Sequence, residues 1–164
     1  MVSIETVAAG MGFSPGLALA LEQACIRFGI NTELRVCHFL AQVAHESGTG
    51  RWLKELWGPT PAQSRYEGRK DLGNTQPGDG FRFRGRGGIQ LTGRDNYTRY
   101  SQAIYGDDRA VRNPDLLANL PDAALAAGYF WQRDGINSVA DAADPPAQPS
   151  LSRARIDPVL SPDL

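Results

Sequence analysis

Apolar residues recur at helical spacing in several stretches of the chain. Ser14 and Pro15 form an N-cap and a first helical position, with Leu17, Leu21, Ala24, Cys25 and Phe28 following on one side. Gly29 supplies the stop. A second helix is expected to open near Asn31 or Thr32, to bury Leu34, Cys37, Ala41 and Ala44, and to fail at Gly48 or Gly50. Helical spacing returns after Thr92, runs through Tyr97 and Tyr100 and stops at Gly106. A short turn follows at Pro114. Pro121 and Asp122 then open an apolar helix with Ala124, Leu125, Gly128, Tyr129 and Trp131, closed by Gly135.

Between these helices, residues 58–90 are rich in glycine and interrupted by Pro59, Pro61 and Pro77. They predict loops and a short hairpin around Phe81–Arg84. Residues 142–164 hold five of the eleven prolines and no aromatic residue, which predicts a divergent, poorly ordered tail after a domain spanning 1–141. The fold class is therefore all-α: helices on both sides of a Gly-rich middle, with almost no strand signal.

Composition narrows the function classes. At 164 residues and 17.8 kDa the chain has room for one core. Its net charge of −1 argues against a general nucleic-acid or membrane-surface binder. Fifteen of the 17 basic residues are Arg, which favours contacts of fixed geometry. No apolar run reaches membrane-spanning length. Gly16–Leu21 lacks a basic flank, so no signal peptide is expected and the protein is expected to stay cytoplasmic until released. Cys25 and Cys37 make no disulfide framework and are expected to be two buried, reduced thiols.

Glu46, in Ala44-His45-Glu46-Ser47-Gly48, falls in the last turn of the second helix. The negative end of the helix dipole and partial desolvation would both favour its neutral form, which suits a general acid. The alternative is a solvated helix-end carboxylate. A two-carboxylate hydrolase needs a partner, and Glu55, Glu67 and Asp71 are the nearby candidates. On one continuous helix Glu46 and Glu55 would point to opposite faces, about 13.5 Å apart along the axis. The Gly48-Thr49-Gly50 break lets the chain reverse instead. A separation of roughly 6.5–9.5 Å would leave room for a water and predict inversion.

Other constellations are weaker. His45-Glu46 is not followed by the second His of a zinc motif, so no metal is expected, and no nucleophile elbow is present. His38 reads as a packed or hydrogen-bonded helix residue. Phe81-Arg82-Phe83-Arg84-Gly85-Arg86-Gly87-Gly88 fits an RNA-binding box, or a glycine-rich backbone packed against a helix or an extended ligand. Thr92 fits a capping box with Asp95, and its hydroxyl could also face a cleft and hold a water. Among Trp52, Trp57, Tyr66, Tyr97 and Trp131, the last reads as core. Trp57 and Tyr66 read as exposed loop aromatics suited to stacking on sugar rings.

Taken together, Phe39-Leu40-Ala41-Gln42-Val43-Ala44-His45-Glu46-Ser47-Gly48, then Tyr66-Glu67-Gly68-Arg69 with Leu72-Gly73-Asn74, then Gly85-Arg86-Gly87-Gly88-Ile89-Gln90-Leu91-Thr92-Gly93-Arg94 with Asn96-Tyr97, form a pattern. It resembles the glycoside hydrolase family 19 chitinases, and most of all their short phage and bacterial branch of lysozyme-like endolysins. Asn113-Pro114-Asp115-Leu116 and Tyr129-Phe130-Trp131 with Gly135-Ile136-Asn137 extend the resemblance over residues 31–141.

The resemblance implies a helical, lysozyme-like, two-lobed fold. It implies inverting cleavage of β-1,4 bonds beside N-acetylglucosamine-type sugars, without cofactor, by a monomer whose partner is a polysaccharide rather than nucleic acid or membrane. The family's acid falls on Glu46, its base on Glu55 with Glu67 as fallback, and its water-positioning hydroxyl on Thr92. Its substrate-contacting amides fall on Gln90 and Asn96, with Tyr97, Tyr66 and Trp57 added as further contacts. Peptidoglycan is the expected substrate, chitin the alternative, and an inactive glycan-binding domain the non-enzymatic one. After Ala140-Asp141 the chain departs from the family pattern into Asp144-Pro145-Pro146, which predicts a groove lacking one wall.

Overall fold

A computed structural model describes residues 3–142, so the expectation for the tail falls, apart from Ala142, outside the described residues. Among these the chain is helical, with two isolated bridges in place of any strand. The helices are α1 (Ile4–Gly10), α2 (Pro15–Arg27), α3 (Glu33–Ser47), α4 (Pro61–Ser64), α5 (Asp79–Arg82), α6 (Arg94–Tyr105), α7 (Arg109–Arg112), α8 (Asp122–Arg133) and α9 (Ile136–Ala142). Two 3-10 turns, Lys70–Leu72 and Pro114–Ala118, complete the set.

The caps explain the boundaries. Ser14 accepts from the Leu17 N–H and Thr32 from that of Arg35, so α2 and α3 begin where a side-chain oxygen satisfies an otherwise unpaired donor. Gly48 ends α3 in the left-handed conformation, φ 57°, and a Cβ there would lie 3.1 Å from the Trp52 ring. The short α1 carries too little pattern to be anticipated. It is held by Ser3 at its N-terminus and by Glu22, which accepts from the Ile4 N–H at 3.0 Å.

Two apolar clusters share α8. One joins α1, α2, α3 and α9 around Leu21, Phe28, Phe39, Leu40, Val43 and Trp131. The other joins α6, α7 and the Pro114 turn around Phe83, Tyr97, Tyr100 and Leu117. Ala124 and Ala127 of α8 face the first and Ala126 the second, which gives the expected two lobes a common spine. Phe39 meets Trp131 edge-on at 5.4 Å between ring centroids. A fully buried ring of this kind contributes about 1.5–3 kcal/mol over an exposed one.

Three expectations are corrected. The buried stripe of α3 is Phe39, Leu40, Val43 and Ser47, while Cys37 and Ala41 face solvent and Leu34 and Ala44 are half-buried. The bulkier Phe39, Leu40 and Val43 bury more apolar surface and so set the helix rotation. Only Cys25 is a buried thiol, its pKa pushed up to about 12 by desolvation and the nearby Glu22; Cys37 is exposed. Finally, the segment expected as a hairpin is helical over 79–82. Backbone pairing appears later, where Arg86 bridges both Lys54 and Leu91.

Candidate active site

A groove of about 790 Å³ opens between α3, the α8–α9 corner and the connecting segments that follow α3. His38, Gln42 and Glu46 enter it from α3, one helical turn apart at i, i+4 and i+8. Phe130 and Trp131 of α8 and Ile136, Val139 and Ala140 of α9 form an apolar wall. Glu55, Tyr66, Ile89, Gln90 and Thr92 complete the lining from the connecting segments. Among the described residues no group of three or more His, Cys, Asp and Glu side chains could hold a metal ion.

The chain reversal after α3 brings the two carboxyl groups into this groove. Gly48, Thr49 and Gly50 all have positive φ, and Trp52 N–H returns to the Ser47 carbonyl at 2.8 Å. Glu55 then pairs with the Gly-rich segment: its N–H donates to the Gly85 carbonyl, and Gly87 N–H donates to the Leu53 carbonyl, both at 2.9 Å. The Glu55 carboxylate is held at both oxygens, by Gln63 Nε2 at 3.0 Å and by the Gly85 N–H at 2.9 Å. Two directed N–H donors fix a carboxylate's orientation. A Cβ on residue 85 would sit 2.8 Å from Gln90 Oε1 and 3.3 Å from Glu55 Oε2, so only glycine leaves both side chains where they are.

Gln63 carries much of this arrangement. Its Oε1 accepts from the N–H groups of Gly58 and Thr60, and its Nε2 also reaches the Leu56 carbonyl at 2.6 Å. The Thr60-Pro61-Ala62-Gln63 capping box is a readable sequence signal for that residue. Gln42 plays the matching part for Glu46, donating from Nε2 to Oε1 at 2.9 Å. The expected desolvation of Glu46 is not found: its side chain is exposed at the open edge of the groove. His38 is a packed residue of α3 rather than a hydrogen-bonded one. Its Nε2 is buried without a hydrogen-bond partner, and its ring lines the groove.

Thr92 is not a helix cap. α6 begins after Gly93 without a side-chain cap, and the Arg94 N–H is satisfied instead by Asn74 Oδ1 at 3.0 Å. The same Asn74, fully buried, donates to the Tyr66 carbonyl at 2.9 Å and so ties the groove segment to α6. Thr92 is left to face the groove while its Oγ1 donates to the Gln90 carbonyl at 2.9 Å. Among the described residues Gln90 is one of two non-glycine residues with positive φ, at 56°, a conformation that costs about 1 kcal/mol or more and persists where surroundings enforce it. Its Nε2 donates to the Trp52 carbonyl at 2.8 Å.

The structure therefore gathers Glu46, Glu55, Thr92, Gln90 and Tyr66 into one groove and leaves four expected residues outside its lining. Tyr97 is fully buried; its hydroxyl donates to the Arg84 carbonyl and accepts from Arg86, and burial pushes its pKa up to about 12. Asn96 has both amide ends engaged, by the Thr92 carbonyl and by Arg133. Glu67 spends its two carboxylate oxygens on the N–H groups of Gly78 and Gly80. Trp57 is half-buried rather than exposed, packed against Tyr66 and Phe81. Tyr66 is half-buried as well, its pKa raised first by burial and then by the Glu55 charge beside it. Asp71, the remaining carboxylate considered, is paired with Arg69. Trp131 is core as expected, but its edge also reaches the groove.

No family model matches the chain. Curated relatives do. A glycosyl hydrolase family 19 domain-containing protein of Haemophilus influenzae is 27% identical over 144 residues, covering 71% of this chain and 70% of that protein. An endochitinase of Pisum sativum is 36% identical over 110 residues, covering 60% of this chain. An acidic 26 kDa endochitinase of Solanum lycopersicum is 42% identical over 57 residues, covering 34% of this chain. The matches span only 32% and 22% of the two plant proteins. In sequence the chain is thus similar to a protein with a family 19 glycosyl hydrolase domain and, over shorter stretches, to two plant endochitinases.

Proposed function

We propose that the protein hydrolyses β-1,4 bonds in N-acetylglucosamine-containing cell-wall polysaccharide, with peptidoglycan as substrate, by an inverting mechanism. The observation that carries this reading is the convergence of Glu46 and Glu55 on one groove from different segments of the chain. Glu46 is the acid that protonates the leaving oxygen. A sugar chain laid in the groove would displace water from its exposed carboxyl, and loss of water favours a carboxyl's neutral form. Glu55, fixed by Gln63 and Gly85, is the base that takes a proton from water, and the Thr92 hydroxyl helps hold that water. Gln90 and Tyr66 contact the sugar, and the apolar wall from Phe130 to Ala140 receives its less polar faces.

Replacing Glu46 with Gln, or Glu55 with Gln, should abolish release of reducing sugar from purified murein while leaving the thermal melt unchanged. Near-normal turnover by either variant defeats the assignment. Nuclear magnetic resonance of the first-formed anomer tests inversion. Two of the relatives are named endochitinases, which favours chitin as the second reading. Comparing turnover of murein and of soluble chitin oligomers decides between them. Binding of glycan without turnover by the unaltered chain would make it a binding module.

A further inference from the structure

The segment that presents Glu55 has a second face. Lys54 and Arg86 form an antiparallel bridge, flanked by the Glu55–Gly85 and Gly87–Leu53 hydrogen bonds. Side chains alternate across such a pair, so Glu55 and Gly85 share one face while Lys54, Arg84 and Arg86 share the other. That other face borders a separate groove of about 510 Å³, lined by Lys54, Arg82, Arg84 and Arg86 with Asp115 as its one acidic residue.

The cations in this groove are not equally compensated. Asp115 accepts from Lys54 Nζ at 2.9 Å and from Arg86 Nε at 2.8 Å, so a single carboxylate serves two positive charges. Arg82 donates to the Val111 and Arg112 carbonyls, which are neutral. Arg84 is only 8% exposed, and its Nε and Nη1 donate to the Glu55 and Phe81 backbone carbonyls. Among the described residues its Nη2 has no hydrogen-bond partner and no carboxylate pairs with it. The guanidinium is stacked on the Phe81 ring, 4.1 Å from its centroid, which fixes the plane of its fork. Burial, and next the Arg86 charge, lower its pKa. Asp115 and Glu55 act on this guanidinium only at longer range, so its one free nitrogen, held rigidly and open to the concave cationic surface, is matched by an anionic oxygen of a ligand.

We propose that this groove binds carboxylate groups carried by the polysaccharide whose backbone occupies the Glu46–Glu55 groove, with Arg84 as the principal contact. The inference rests on the hydrolase reading and gives it a substrate preference: an acid-bearing glycan is held on both sides of the Lys54–Glu55 segment, whereas a neutral glycan is held on one.

The test uses the full chain with Glu46→Gln, so that bound polymer is not cut. Its affinity is measured for three probes: glycan strands with free lactyl carboxylates, the same strands with those carboxylates amidated by carbodiimide, and neutral chitin oligomers. The carboxylated strands should bind about tenfold more tightly than the amidated ones, a difference that shrinks with salt. Adding Arg84→Gln should erase that difference and leave chitin affinity within about twofold. Arg82→Gln, on an exposed side chain, should reduce it in part, and serves if Arg84→Gln lowers the melting temperature. Equal affinity for carboxylated and amidated strands overturns the proposal while leaving the hydrolase reading intact. Failure to bind any of the three overturns the polysaccharide reading itself. Salt-sensitive retention of single-stranded RNA that competes with the carboxylated strands would assign the surface to nucleic acid and also overturn the proposal.

Discussion

Gly85→Ala isolates the geometry of the base from the stability of the fold. The backbone at Gly85 lies outside the positive-φ region, so alanine is conformationally allowed and should by itself stabilise by about 0.4–1 kcal/mol. The new methyl carbon would meet Gln90 Oε1 at 2.8 Å, Gln90 Cβ at 3.2 Å and Glu55 Oε2 at 3.3 Å. Those contacts relax only by moving both side chains a few tenths of an ångström, which costs about 1–2 kcal/mol in a packed site. The two effects partly cancel and leave a net cost of about 0–1.6 kcal/mol, so the melting temperature should fall by about 6 °C at most. Activity is far more sensitive. Misplacement of a reacting group by about 1 Å can cost about a hundredfold, so a shift of a third of that should cost about fivefold to tenfold in kcat. Initial rates on murein, read beside a circular-dichroism melt, give both quantities. Full activity at an unchanged melting temperature would refute the claim that close packing around Gly85 positions Glu55. A larger fall in melting temperature would refute the predicted offset.

Gln42→Leu removes the donor to Glu46 and should lower kcat about fivefold with KM within twofold, because the lost contact orients the acid rather than the substrate; an unchanged kcat removes Gln42 from that role. Asp79 is 1% exposed, and although burial alone would raise its pKa, the Arg94 hydrogen bonds and the Gln76 N–H hold it below the usual carboxylate value. A depressed pKa stabilises the fold above the ordinary Asp value of about 3.9 and is lost as pH falls through the native value. Asp79→Asn should therefore cost about 3 kcal/mol in urea unfolding at pH 7 and progressively less below pH 4; a pH-independent difference contradicts the ion pair's contribution. Gly128→Ala places a methyl 2.4 Å from Phe28 Cδ2 and should destabilise by about 1–3 kcal/mol without altering the groove's chemistry; an unchanged melting temperature contradicts tight packing of α8 on Phe28. Native protein should titrate one thiol with Ellman's reagent, Cys37, and denatured protein two; a second fast thiol in the native state contradicts the burial of Cys25.

What the sequence made legible follows from how local each cause is. Ser14, Thr32, Gly48, Gly106 and Gly135 mark helix ends through groups a few residues away, and the helices begin and end beside them. Which face of α3 is buried was not legible, because alanines and a cysteine on one side competed with Phe39, Leu40 and Val43 on another, and only packing against Trp131 of α8 decides between them. Thr92 shows the same limit from the opposite direction: its spacing to Asp95 satisfies a local capping rule, but Asn74, twenty residues before Arg94, accepts from the Arg94 N–H and frees the Thr92 hydroxyl for the groove. Tyr97 sits within the recognisable motif and is still buried, since a motif records which residues occur together and not whether each faces the ligand or supports one that does. Its hydroxyl in fact anchors Arg84 and Arg86, on the opposite face of the segment whose other side carries Glu55. The residues that hold the two carboxyl groups were the least legible. Gln42 lies one helical turn from Glu46, a spacing visible in the sequence, but Gln63 reaches Glu55 only because the Gly48–Gly50 reversal and the Thr60 capping box bring two loops together. A site assembled from loops is thus readable residue by residue, while the contacts that give it chemistry depend on where the chain turns back.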